Sequence, residues 1–375
     1  MIQIIPFSTQ QKDLVKKFIK VPWSLYQRDP VWVPPLIQER LDFFNPKKNP
    51  YFEHADVQLF LAVKDGKPVG RISAQVDHLH LKTHQDGAGF FGFFESIDDP
   101  EVALSLCRAA EAWLKGQGMK TIRGPFNFSI NEEMGLLIDG FQHSPQVLTN
   151  HNLPYYPHLL TQGGYAKCKD LFCWSYDPNR PLPEQANQIA DEVRKHPGLT
   201  IREMDPKNMA RDMKIVMDIF NAAWKKNWGF VPLTENEAKK AVKDFQLLLD
   251  PHIALIAEID GQPVAISIAI PNMNELIKDL NGRLLPLGIF KLLYRIKRHK
   301  AKGARLMLLG IKEEYRKELM LNVLLFIEMH RRGREHGYQY GELSWTLEDN
   351  VKINMGIQMM GGECYKTYRL YQKSL

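Results

Sequence analysis

The sequence predicts an α/β fold of the mixed α+β kind, built twice in one chain. Two observations predict it: landmarks that recur in the same order in both halves, and an Asp-Gly hairpin turn between apolar runs in each half. A third supports them, the strand–helix–strand–helix–strand succession that closes the second half. Pro35 and Pro232 end similar VPPL and VPL stretches, and Gly66 and Gly261 lie in LAVKDGKPVGRISAQV and IAEIDGQPVAISIAI. Asn152 and Asn350 close LTNHN and TLEDN, and Gly163 and Gly361 open QGGYAKCKDLFCW and MGGECYKTYRLYQ. Each pair is roughly 200 residues apart, and four collinear matches are the mark of duplication. The expected division is 1–178, a linker over 179–186 in a proline-rich stretch, and 187–375.

The elements follow in order. KDGKP and DGQP are turns, because glycine accepts the positive φ that a tight hairpin demands, so each copy begins with an antiparallel pair. In the second copy ARLMLLGIK reads as a strand. The following RKELMLNVLLFIEMHRRGREHG is a helix, with Leu321, Leu324, Leu325, Glu328 and Met329 on one stripe and Gly337 as its stop. YQYGELSWTL is a strand, VKINMGIQMMGG a short helix ending in paired glycines, and ECYKTYRLYQK a last strand. The expected sheet of each copy is mixed, largely antiparallel and flanked by helices.

Composition narrows the class. The chain has 375 residues, 44% hydrophobic and 25% charged, an ordinary globular balance. No apolar run approaches the ~20 residues of a membrane span, and four cysteines without paired C-x-x-C spacing fit neither a disulfide framework nor structural zinc. The cytoplasm is the expected compartment. His78, His80 and His84 lack a further ligand at metal spacing, and no metal is expected. The formal net charge of +6 is concentrated in Lys291, Arg295, Lys297, Arg298, Lys300, Lys302 and Arg305, with the remainder nearly balanced. That is a patch and not a nucleic-acid footprint. Within it Ile289, Leu292, Leu293 and Ile296 share one helical face, with Lys291, Arg295, Arg298 and Lys302 roughly opposite. Residues 287–302 could thus lie on an anionic membrane, or pack on their own domain with a solvated basic face.

The closing pattern of the second copy, with an Asn-initiated short helix ending in Gly-Gly before the last strand, resembles the GNAT acyltransferase superfamily, and two copies resemble a tandem arrangement. GPFNFSINEEMGLLIDGF, HNLPYYPHLLTQGGYAKCKDLFCW and FNAAWKKNWGFVPLTENE are similar to signatures of the bacterial acyl-CoA acyltransferase group that includes the bacterial ceramide synthases. The resemblance implies acyl-CoA as donor substrate, laid between two splayed strands with its pyrophosphate at the head of the following helix. In the second copy it places Ile311, Arg316, Lys317, Trp345 and Asn350 on the donor side. Lys317 and Leu319 stand where the superfamily has glycines, which weakens a phosphate cradle. In the first copy Glu95, Asp98, Asp99 and Glu101 would repel a pyrophosphate.

From Gly118 to Asn152 the first copy is about twenty residues longer than the second from Gly337 to Asn350, and GPFNFSINEEMGLL lies in that excess, beyond the carboxyl end of a central strand. Acyl transfer to an amine needs a base for the ammonium and donors for the developing oxyanion. Glu132 or Glu133 is the candidate base, directly or through water, and Asn127, Ser129 and Asn131 the candidates to orient the amine or a neighbouring hydroxyl. The superfamily's usual acid position holds Leu160 and Gln358 here, so Tyr156, one turn before Leu160, is the substitute; its hydroxyl could equally just satisfy an internal partner. The expected activity is N-acylation of an amine, plausible substrates being lipid or sphingoid amines. An aminoacyl-tRNA-dependent transferase and a non-enzymatic tandem binding module are the alternatives.

Overall fold

The computed structural model describes residues 1–245, 248–298, 301–316 and 319–375. In chain order the first elements are β1 (Ile2–Phe7), α1 (Lys12–Leu25), α2 (Ile37–Phe43), β2 (Ala55–Lys64), β3 (Lys67–Asp77), α3 (His78–His84), β4 (Ala88–Ser96) and α4 (Pro100–Gly116). There follow β5 (Thr121–Gly124), β6 (Phe126–Asn127), β7 (Glu133–Met134), β8 (Leu136–Asp139), α5 (Tyr156–Gln162) and β9 (Ala166–Tyr176). The chain continues through α6 (Glu184–Arg194), β10 (Leu199–Glu203), α7 (Met209–Trp224), α8 (Glu235–Phe245), β11 (Ala254–Ile259), β12 (Gln262–Pro271) and α9 (Met273–Ile277). It closes with α10 (Gly288–Lys297), β13 (Gly303–Ile311), α11 (Leu321–Glu335), β14 (Tyr340–Leu347), α12 (Val351–Met359) and β15 (Glu363–Ser374).

These elements form two compact units that are not consecutive halves. Unit 1 is Met1–Leu171 with Ile277–Lys291 and Lys366–Leu375; unit 2 is Phe172–Leu276 with Leu292–Tyr365. The reason lies in the closing strands. The end of β15 pairs with β5 (Tyr371 opposite Gly124) and with β8, so the chain's last strand completes unit 1. The second half of β9 lies beside β14 and completes unit 2. The expected linker, 179–186, falls inside unit 2.

Each unit repeats one plan. Both hairpins turn at Asp-Gly with two positive φ angles, 51° and 76° at Asp65–Gly66 and 49° and 74° at Asp260–Gly261, the backbone of a turn that suits twisted strands. In unit 1, α4 buries Leu106, Ala110 and Leu114 on one face of the sheet against Ile72, Ala74 and Phe91. α1 packs Phe18 and Ile19 on the other with Phe44, Phe93 and Phe128. In unit 2, α11 buries Leu321, Leu324 and Leu325 against Leu255, Ala257 and Val264, and α7 covers the opposite face with Met213, Val216 and Ile219. Leu321, Leu324, Leu325 and Glu328 of the predicted stripe are buried and Met329 partly so, Phe326, Ile327 and His330 off the stripe are buried too, and Gly337, at φ 83°, follows the helix end. His78, His80 and His84 lie in α3, capped by Asp77, with His78 beside Asp56 and His80 beside Asp86. Among the described residues no group of three or more metal-type side chains converges, and no helix is long and apolar enough to cross a membrane.

Candidate active site

The two units treat the gap between their central parallel strands differently. In unit 1 the ladder of β4 with β5 covers Ala88–Phe90 and Thr121–Arg123. Beyond it the strands part and the β6–β7 hairpin fills the opening. Gln75 Nε2 donates to Phe126 O at 2.7 Å, and a Cβ on Gly92 would lie 1.8 Å from that same oxygen. Asn127 locks the hairpin: its Oδ1 accepts from Phe93 N at 2.7 Å, and its Nδ2 donates to Glu133 Oε2 at 2.8 Å and to Asn150 Oδ1 at 3.0 Å. Both amide hydrogens of Asn127 are therefore committed inside the unit, and it has no donor left to orient an amine. Glu133 Oε1 accepts from Arg40 at 3.1 Å, whose guanidinium also holds Glu39 and covers the Phe43 ring. Ser129 Oγ accepts from Asn131 N at 3.1 Å, and Glu132 N donates to Ser129 O at 3.1 Å, the local turn chemistry typical of Ser and Asn. The polar lobe thus follows β5 as expected, but Asn127 and Ser129 serve it internally.

Tyr156, at the start of α5, is fully buried. Its hydroxyl donates to Glu95 Oε2 at 2.6 Å, Tyr26 donates to the same oxygen at 2.8 Å, and Arg71 approaches Oε1 at 3.4 Å. Burial raises the Tyr156 hydroxyl well above its ordinary pKa, so in the folded unit it is a held neutral donor rather than a ready acid. Burial also raises Glu95, against Arg71 and the two tyrosines. Beside this cluster His151 Nε2 and Asp29 Oδ2 are 2.7 Å apart, and His151 Nδ1 is buried with no partner among the described residues. Burial lowers the pKa of His151 although Asp29 opposes it. At the head of α4, Asp99 accepts from Glu101 N at 3.0 Å and pairs with Lys64 at 2.8 Å, so the helix start that would receive a phosphate already holds a carboxylate.

Unit 2 leaves its gap unfilled by any such hairpin among the described residues. The β13–β14 ladder pairs Gly303–Leu306 with Tyr340–Leu343 and goes no further, while the strands run on to Ile311 and Leu347. On the β12 side, β13 carries an irregularity between the Ile268–Leu308 and Ala269–Leu306 pairs, which leaves Met307 as an extra residue at the same level. The described residues expected on the donor side fall in unit 2. Ile311 ends β13, Trp345 follows the last paired residues of β14, and Asn350 is the N-cap residue of α12 without a side-chain cap bond. The Arg305 guanidinium lies 4.6 Å from the Trp345 ring centroid, and Trp345 Nε1 is buried without a partner among the described residues. Arg316 donates through Nε to Ile311 O at 2.9 Å and through Nη2 to Ala223 O at 2.6 Å, fastening its own loop. Lys317 lies outside the described residues. The head of α11 has Met320 at φ 44° and no side-chain cap.

Sequence reading missed the polar centre of unit 2. Arg305 and Glu342 face each other in the ladder, 2% and 1% exposed, with Arg305 Nε donating to Ser344 Oγ at 2.8 Å, Ser344 donating to Glu342 Oε1 at 2.6 Å, and Tyr365 donating to Glu342 Oε2. Arg305 thus leaves the expected basic patch. Its signal was present as an Arg on an otherwise apolar strand and a Glu on the next strand. The α10 reading also changes: Leu292 is buried, whereas Leu285, Leu287, Phe290, Leu293 and Tyr294 are 50–78% exposed. Lys300 of the patch lies outside the described residues.

Two units with a splayed parallel pair, a helix behind it and exchanged closing strands define a tandem GNAT acyltransferase fold. Among solved structures, a tandem GNAT protein from the clavulanic acid biosynthesis pathway superposes with a TM-score of 0.61 at 12% identity, covering 100% of this chain and 98% of that one. A GCN5-related N-acetyltransferase from Sphaerobacter thermophilus gives 0.53 at 13% identity, covering 100% and 95%. No family model matches the sequence. Its sequence is 40% identical over 379 residues to the bacterial ceramide synthase of Caulobacter vibrioides (strain NA1000 / CB15N), covering 100% of this chain and 98% of that protein. It is 41% identical over 368 residues to protein YghO of Escherichia coli (strain K12), covering 97% and 94%. The chain belongs to the bacterial ceramide synthase family and is an acyltransferase, which sets aside the non-enzymatic reading.

Proposed function

We propose that the protein moves an acyl group from an acyl-CoA thioester to the amine of a long-chain, sphingoid-like lipid, with the donor held in unit 2. The observation that carries the placement is the contrast between the gaps: β6–β7 and Asn127 fill that of unit 1, while the β13–β14 ladder of unit 2 ends at Leu306 and Leu343 with no hairpin inserted among the described residues. The head of α11, without a side-chain cap among the described residues, supports it, because free backbone N–H groups at a helix start favour an anion, whereas α4 already carries Asp99. The full-length likeness to a protein named a ceramide synthase supports the lipid amine.

In the reaction the amine nitrogen attacks the thioester carbonyl, the N–C bond forms, the C–S bond breaks, and sulfur leaves as thiolate. The nitrogen gives up two protons; one passes to solvent and one ends on sulfur. The Tyr365–Glu342 pair is the proposed acid–base couple: Tyr365 is half-buried, its hydroxyl donates to a carboxylate that Arg305 and Ser344 hold in place, and it can hand a proton to sulfur and regain one through Glu342. Glu132 and Glu133 are the rival bases; Glu133 is already bound by Arg40 and Asn127. α10 is the proposed contact with an anionic membrane, by the face of Phe290, Leu293 and Tyr294 rather than that of Leu292. The test is to mix the purified protein with acyl-CoAs of graded chain length and a sphingoid base and follow free thiol and amide product. Amide formation with at least one pair is expected; no turnover with any pair sinks the proposal.

A further inference from the structure

An apolar pocket opens in unit 2 between α11 and the start of the β13–β14 ladder. Resting on the acyl-transfer reading above, we propose that this pocket buries the acyl chain of the donor and sets the chain length the enzyme accepts. Its accessible lining is almost wholly apolar. The polar groups at its wall already have partners: the Tyr176 hydroxyl and His330 Nδ1 are 2.5 Å apart, Tyr338 donates to Asp250 and Tyr340 to Glu275, and the Glu342 carboxylate is held by Ser344 and Tyr365. An unbranched hydrocarbon asks for nothing else.

Position argues for the chain of the donor rather than an unrelated apolar ligand. Leu306 and Leu343 are the last paired residues of the β13–β14 ladder and also line the pocket. The splay proposed to hold the thioester therefore begins where the pocket wall ends, and a chain attached to that thioester passes from one to the other at these two leucines. Two glycines keep the space open. Gly333 lies inside α11, where glycine costs about 1 kcal/mol relative to alanine, yet a Cβ there would meet nothing within 4 Å, so close packing does not explain it. Gly341, on the sheet side, would bring a Cβ only into ordinary contact with Tyr176 at 3.6 Å. Phe326 and Met329 of α11 complete the wall.

The test is Gly333→Phe, with Gly333→Ala as the smallest step in the same series. With a graded acyl-CoA series and a sphingoid base, Gly333→Phe should keep its rate on the shortest chains and lose at least about tenfold in kcat/KM on the longest, since each displaced methylene is worth a sizeable factor. Gly333→Ala, which adds one methyl, should shift the profile in the same direction by much less. Titration with cis-parinaric acid, read by its fluorescence, should show binding to the wild type and at least about tenfold weaker binding to a folded Gly333→Phe. An unshifted chain-length profile together with unchanged parinarate affinity overturns the proposal. If no acyl-CoA is turned over, the transfer reading falls, and the parinarate titration alone decides the pocket: weakened binding upholds it and unchanged binding removes it.

Discussion

Asn127 carries the sharpest prediction about unit 1, because its roles as lock and as substrate ligand give different pH signatures. In Asn127→Ala the buried Phe93 N–H loses its 2.7 Å acceptor, a loss of about 1–3 kcal/mol, and the bonds to Glu133 and Asn150 go with it at about 1 kcal/mol each. A total of about 3–5 kcal/mol corresponds to a fall in Tm of roughly 6–20 °C for a unit of this size. Asn127→Asp keeps the acceptor for Phe93 but turns an amide donor into a second carboxylate facing Glu133. One of the two then takes up a proton more readily in the folded unit than in the unfolded chain, as paired carboxylates do. The sign follows from linkage: a raised folded pKa means that the folded state binds more protons, so stability is gained as pH falls and lost as it rises. Thermal melts of wild type, Asn127→Ala and Asn127→Asp at pH 8 and pH 5 check it. The aspartate variant should be far below wild type at pH 8 and recover much of the gap at pH 5, while the alanine variant keeps a constant deficit. An aspartate deficit equal at both pH values would refute the Asn127–Glu133 contact and with it the lock.

Asp212, fully buried, is held at a pKa of about 2 against the opposing effect of burial by bonds from Arg202, Arg211 and the Asp205 N–H. A depressed folded pKa stabilises above the ordinary carboxylate range, so Asp212→Asn should cost about 2 kcal/mol at pH 7, and urea melts should show the difference shrinking as pH falls from ~4 toward 2. Gly66→Ala and Gly261→Ala meet no steric obstacle but hold φ at 76° and 74°; each should lose about 1 kcal/mol in denaturant titration, and unequal losses would contradict equivalent turns. Tyr365→Phe should reduce kcat by roughly 100-fold while leaving KM for the acyl-CoA nearly unchanged, and an undiminished kcat would move the proton step elsewhere. Phe290→Ser with Leu293→Ser should weaken sedimentation with phosphatidylserine vesicles and leave Tm unchanged, since both side chains are at least 50% exposed.

What the sequence discloses follows the range of each interaction. The Asp-Gly turns, the α11 stripe and the Gly337 stop are local and were legible because a few neighbouring residues determine them. The position of the polar lobe was legible by counting, but its role was not: Asn127 bonds to Phe93 and Asn150, partners set by the fold and far away in the chain. Arg305 looked like the end of a basic run because a charge reads alike whether it meets water or Glu342, and only the strand register pairs the two. On α10 the helical period identified one apolar face, but Leu292 of that face is buried while Leu293 of it is exposed beside Phe290 and Tyr294, so periodicity alone could not choose the outward side.

The exchange of closing strands has a consequence for biosynthesis. Tyr371 and its neighbours pair with residues near Gly124, so no nascent chain that stops short of residue 366 contains all of unit 1. Synthesis from the amino end therefore makes the first unit wait longest for its final strand, and loss of only the last ten residues should unravel the part of the protein that the ribosome made first.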